Sequence, residues 1–161
     1  MLRPIQLGVF VAGFAASAAL AQPRSLGVFG LWGAFQDSER CYAIGQPVES
    51  SIRGTRPFAS VGYWPRQGAR GQLHFRLSGE KRPESAVLLR IGARSFQLAG
   101  RGWDAWARDA RADAELLSAM RSGLTMTVET RSIRGGLVRD QYRLRGAPSA
   151  IDAAALACAR R

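Results

Sequence analysis

Apolar and polar residues alternate in short runs along most of this chain, and turn signals rich in Gly and Pro separate the runs at short intervals. Alternation of period two puts successive side chains on opposite faces of a strand, so it marks half-buried strands. Residues 26–36 carry Phe29, Leu31, Gly33 and Phe35 on one parity, and residues 42–48 follow as a second run. Residues 58–64 form a run between Pro57 and Pro65. Residues 72–77 alternate most cleanly, with Leu73, Phe75 and Leu77 facing one way and Gln72, His74 and Arg76 the other. Residues 86–91 and 95–99 read as a hairpin around Gly92-Ala93, and residues 124–130 and 138–144 as another around Gly135-Gly136. Short strands at this spacing suit an all-β sandwich or barrel better than a parallel sheet.

Two helices interrupt the pattern. Asp113 is expected to cap the first, over residues 113–121, with Leu116, Leu117 and Met120 on one side and Gly123 as its stop. Ser149 is expected to cap a C-terminal helix over residues 149–159 that carries Ile151, Leu156 and, on its last turn, Cys158.

The second hairpin admits a register. Pairing positions that sum to 270 sets Val128 opposite Tyr142 and Met126 opposite Leu144, so both strands bury the same parity. The other face then gathers Thr125, Thr127, Glu129 and Arg131 beside Arg139, Gln141, Arg143 and Arg145, a basic strip. Asp140 falls on the buried parity opposite Thr130, where a carboxylate requires a hydrogen bond or an arginine partner.

The N-terminus changes the setting. Arg3 gives a short positive start, residues 5–20 are uncharged and mostly apolar, and Ala19-Leu20-Ala21 is a small-x-small cleavage pattern. Residues 1–21 therefore read as a signal peptide, cut near Ala21, and residues 22–161 as a single exported domain of the periplasm, outer envelope or extracellular medium. Gln22, not Cys, follows the cut, so no lipid anchor is expected. In an exported chain the two cysteines allow one pairing, Cys41–Cys158.

The formal net charge of the whole chain is +11, carried almost wholly by arginine, since Lys81 is the lone lysine. A surface of this kind favours anionic partners: lipid headgroups, lipopolysaccharide or acidic glycans, with peripheral membrane association as one form. Nucleic acid is a weaker alternative, because export argues against it and no interleaved aromatic-basic motif appears.

The ordered set Gly30-x-Trp32-Gly33-x-Phe35, Cys41-Tyr42-Ala43 with Pro47, Arg56-Pro57-Phe58-Ala59, Glu115-Leu116-Leu117-x-Ala119-Met120-Arg121-x-Gly123, Arg134-Gly135 with Asp140 and Tyr142, and then Gly146, Ala150 and Cys158 resembles the invasion-associated locus B proteins of alphaproteobacteria. The resemblance implies an exported, Ig-like antiparallel β-sandwich of the envelope with a short connecting helix and a C-terminal helix. It brings no catalytic residues and no cofactor.

Enzyme chemistry is thinly represented. Ser78-Gly79-Glu80-Lys81 matches S-x-x-K but sits in a turn after a strand, with no S-D-N or K-T-G partner. His74, the lone histidine, is expected on a solvated strand face, and with no C-x-x-C there is no metal-ligand pattern. Asp104, Asp109 and Asp113 read as helix-entry carboxylates. Trp32 reads as core, while Trp64, Trp103 and Trp106 lie near strand ends, where core and ligand contact are both open. The expected function is a non-enzymatic envelope-binding protein, with Arg131, Arg139, Arg143 and Arg145 as its anion-binding residues. The alternatives are a periplasmic hydrolase with an unfamiliar site and a nucleic-acid binder.

Overall fold

The computed structural model describes residues 22–160; the expected signal peptide lies outside the described residues. The fold is mainly β, with eleven antiparallel strands in one continuous sheet and two helices. In chain order the strands are β1 (Arg24–Phe29), β2 (Trp32–Gln36), β3 (Cys41–Gly45), β4 (Glu49–Ser50), β5 (Phe58–Trp64), β6 (Ala69–Arg76), β7 (Val87–Ile91), β8 (Arg94–Arg101), β9 (Asp104–Trp106), β10 (Thr125–Arg131) and β11 (Leu137–Arg143). The helices are α1 (Ala110–Ser122), between β9 and β10, and α2 (Ala147–Ala159), at the C-terminal end. The spatial order is β1-β2-β3-β5-β6-β9-β8-β7-β10-β11-β4.

Where two separate sheets would meet face to face, this chain uses one sheet that curls. β8 makes the connection: Leu98 and the residues before it pair with β7, and Ala99 to Arg101 pair with β9. The two halves then face each other across a shared core. Leu73, Phe75 and Leu77 come from one half, and Val128, Tyr142 and Leu144 from the other, all buried as their parity predicted. The rings of Phe75 and Tyr142 meet edge to face at 5.9 Å. The Trp32 indole N–H donates to the Arg143 carbonyl across the gap at 2.9 Å.

The hairpin β7–β8 turns at Gly92-Ala93 as read from the sequence. The run 26–36 does not stay one strand. It folds back at Gly30-Leu31 into the hairpin β1–β2; Trp32, read as core, is buried together with Ala34, and Phe29 packs partly buried against the core. Gly45 on β3 makes this possible, because any side chain there would collide with the Trp32 ring.

The β10–β11 register is two residues from the expected one: Met126 pairs with Tyr142, Val128 with Asp140 and Thr130 with Val138. The cause is the turn. Ser132 N–H donates to the Gly136 carbonyl and Gly135 N–H to the Ser132 carbonyl, which centres the loop on Arg134. A shift of two preserves parity, so the buried set is unchanged. Asp140 is fully buried and accepts a hydrogen bond from Ser78 N–H at 2.9 Å, the structural bond its position required.

Both helices start earlier than expected. Asp109 caps α1, its carboxylate accepting from Ala112 N–H at 2.8 Å. Asp113 points into the protein and accepts from Leu73 N–H of β6 at 2.7 Å. α2 begins after Gly146, with proline in its first turn, so Ser149 is already inside it. Its inner face is Ala147, Ala150, Ile151, Ala154 and Cys158, a helical spacing that leaves Leu156 exposed. Cys158 is bonded to Cys41 at the start of β3, with Cα atoms 5.7 Å apart. Among the described residues no helix is long and apolar enough to cross a membrane.

Candidate functional site

Strand alternation places Arg131, Arg139 and Arg143 on the outer face of β10–β11, all exposed. In the observed register Arg139 lies opposite Glu129 and Arg143 opposite Thr125, while Arg131 faces Leu137. Glu129 is the one acidic side chain on the outer face of these two strands. It pairs with Arg139 at 3.3 Å and with Arg90 of β7 at 3.6 Å. The side chains of Arg131 and Arg143 have no ion pair or hydrogen bond among the described residues. Arg145 is exposed as well, but it lies past the last strand pair, beside the β1–β2 turn. The strip thus keeps three arginines on one sheet face and a fourth at its end, and of these four Arg139 alone is tied to the Glu129 carboxylate.

The S-x-x-K reading ends in a structural role. Ser78 is fully buried, and the Lys81 ammonium donates to the carbonyls of Arg82 and Pro83, at 2.8 and 2.6 Å. Those bonds hold the segment after β6 and leave the serine without a base.

His74 is not simply solvated. It is half-buried, with Nε2 at 2.9 Å from Asp104 Oδ1, its ring stacked on Trp106 at 5.5 Å and set edge-on to Phe58 at 5.4 Å. Asp104 therefore belongs to β9 and not to a helix entry. Its second oxygen accepts from Arg76 Nη1 at 2.9 Å, and the Arg76 guanidinium lies 5.5 Å over the Trp103 ring. A histidine–carboxylate pair can serve a nucleophile, but Ser60, the cross-strand neighbour of His74, makes no hydrogen bond with it.

These groups adjoin a system of clefts around the irregular segment 46–57. That segment leaves β3, crosses to the far edge of the sheet, pairs there as β4 with β11, and returns to β5. Val48 N–H and Ser51 N–H donate to the carbonyls of Gln141 and Arg139, which anchor it. Three clefts open along it, of about 660, 590 and 300 Å³, and Arg56 lines all three. The smallest is formed by Thr55, Arg56, Arg76, Leu77 and Trp103. Sequence alternation did not single out Arg56 or Arg76 as site residues, and it left Trp103 open. The signal that could have found Trp103 is its place in a two-residue hairpin loop, Gly102-Trp103, where strand alternation cannot send a large ring into the core.

A second aromatic group occupies the same outer sheet face nearer β2. Phe35 stacks on Tyr42 at 5.6 Å, and Arg40 covers Tyr42 at 4.7 Å and Trp64 at 5.8 Å. Asp37 holds Arg40 at 3.2 Å. Burial acts to raise the Asp37 carboxyl, but the Glu39 and Arg40 backbone N–H groups and the Arg40 guanidinium outweigh it and hold it below the usual range. This group is closed on itself, whereas the 46–57 clefts are open. No family model, curated protein or solved structure matches the chain.

Proposed function

We propose that this chain is an exported, non-enzymatic binding protein of the bacterial envelope, of the invasion-associated locus B type, that engages an anionic envelope component. The observation that carries the reading is the outer face of β10–β11, where Arg131, Arg139 and Arg143 stand exposed with Glu129 as the one acidic side chain that these two strands place on that face. An arginine fork can hold phosphate or carboxylate through two parallel bonds. Each such contact on an open face contributes about 1 kcal/mol or less, so useful affinity needs several together and weakens as salt screens them. The Cys41–Cys158 bridge agrees with an oxidising compartment. The buried Ser78 and the carbonyl-bound Lys81 favour binding over hydrolysis.

The test replaces Arg139, Arg143 and Arg145 together with glutamine and measures co-sedimentation with vesicles containing anionic lipid and with lipopolysaccharide. The expected result is loss of most low-salt binding with an unchanged far-UV spectrum. Binding equal to wild type would make the strip a solvated face and overturn the proposal.

A further inference from the structure

A second surface shares no residue with the arginine strip. We propose that the cleft between segment 46–57 and the β8–β9 turn binds a sugar ring bearing an anionic group, with Arg56 and Arg76 on the anion and the Trp103 indole against the ring.

The cleft, of about 300 Å³, is at the lower end of the range that small-molecule sites occupy. Two of its parts, the Trp103 turn and Arg76, are held in place before any ligand arrives. The turn carrying Trp103 is fastened from below: Leu77 N–H donates to the Trp103 carbonyl at 2.8 Å and Lys81 N–H to the Gly102 carbonyl at 2.8 Å. Arg76 is clamped between the Asp104 carboxylate and the indole, so the rotamer entropy of a long side chain is already lost. Arg56 is exposed and precedes the buried Pro57, which restricts its backbone to extended conformations. The Arg56 side chain has no ion pair or hydrogen bond among the described residues.

The hydrogen-bonding capacity left over selects the ligand. A guanidinium has five N–H donors, and Arg76 spends one on Asp104, so both arginines offer a planar fork to a carboxylate or phosphate. Asp104 is not part of the cleft wall; its two oxygens accept from His74 and from Arg76 and so orient Arg76. Thr55 adds a hydroxyl at the cleft wall. Trp103 supplies an apolar plane. Two cations, one hydroxyl and one aromatic face fit a ligand with a single anionic group and an apolar ring face. This site does not depend on the arginine strip, and either can fail alone.

Titration calorimetry and Trp fluorescence at low ionic strength, with trigalacturonate, glucose 6-phosphate and neutral maltotriose as probes, test the proposal. Binding of trigalacturonate or of glucose 6-phosphate is expected, and which of the two binds tells whether carboxylate or phosphate is the group read. Maltotriose should bind at least about tenfold more weakly, the loss expected when a charge-assisted contact is absent. Arg56→Gln, at an exposed position where folding is not at stake, should weaken the anionic probe by about tenfold or more. Trp103→Ala should abolish binding, with Trp103→Phe restoring part of it. The Arg139, Arg143 and Arg145 triple glutamine variant should bind the probe as wild type does. Failure of both anionic probes, equal binding of maltotriose, or an Arg56→Gln variant as good as wild type would each overturn it.

Discussion

Replacing Cys41 and Cys158 together with alanine removes a cross-link that spans 117 residues of sequence. In the unfolded chain such a link forbids most of the conformations an open loop would sample. Chain-entropy reasoning gives the loss of that constraint a cost of about 5 kcal/mol at 25 °C. A chain of this size is stable by about 5–15 kcal/mol in total, so the reduced form should be marginal. Alanine is the right substitution, because both positions are buried in a small cluster with Ala154 and Tyr63, where a serine hydroxyl would be stranded. Urea unfolding should show the loss directly. The slope m should also rise, because an unlinked unfolded chain exposes more surface. The melting temperature should fall by roughly 10–20 °C. The loss should also have a place: Ala147, Ala150 and Ile151 remain in the main core, so amide exchange should accelerate first in the last turn of α2. A double alanine variant within about 1 kcal/mol of the oxidised protein, with the same m, would refute the entropic argument.

Two further outcomes follow from single residues. Burial, aided by the charge of Asp109, pushes the Asp113 carboxyl above its ordinary value, against the pull of Leu73 N–H. The folded state therefore holds that proton more tightly than the unfolded chain, and Asp113 costs stability as pH rises from about 4 through its raised value. Asp113→Asn keeps an acceptor for Leu73 N–H and should gain on wild type across that window in urea titrations; parallel pH curves would count against it. Gly146 has φ 89° and a side chain there would collide with the Phe29 carbonyl, so Gly146→Ala should cost about 2 kcal/mol or more. Gly92→Ala, at φ 58° with open space around it, should cost about 1 kcal/mol, and equal losses in denaturation would show that conformation alone matters at both sites.

The fold was most legible where one parity is apolar and the other polar. Leu73, Phe75 and Leu77 against Gln72, His74 and Arg76 leave no choice of inner face, and Gly92-Ala93 supplies the left-handed turn a two-residue hairpin needs. The run 26–36 is apolar on both parities, so alternation alone could not say which face is buried. The choice falls to Trp32 and Ala34 because of partners far along the chain, Gly45 beneath the indole and the Arg143 carbonyl at its N–H. The same holds for α1. Asp109 and Asp113 are both good caps by residue type, and what separates them is the Leu73 N–H that draws Asp113 inward.

The two candidate surfaces differed in legibility for a related reason. The arginine strip lies on one hairpin, where a register error of two residues still returns the same face, so parity found it and misplaced only the cross-strand neighbours and Arg145. The cleft is assembled from three segments: Arg56 from an irregular crossing, Arg76 from the end of β6, and Trp103 from a turn. Periodicity carries no information about an irregular segment, and Arg76 looks like any outward arginine until β9 is known to bring Asp104 beside it. That pairing needs the sheet order β6-β9-β8, in which β9 docks on β6 and not on the next strand in sequence. Of the two cleft arginines, Arg76 is held by its neighbours and Arg56 is not. Arg76 is oriented by a carboxylate and an indole, whereas Arg131 and Arg143 are held by neither. On that ground the cleft should discriminate among ligands, and the strip should bring anionic surfaces near without reading their chemistry.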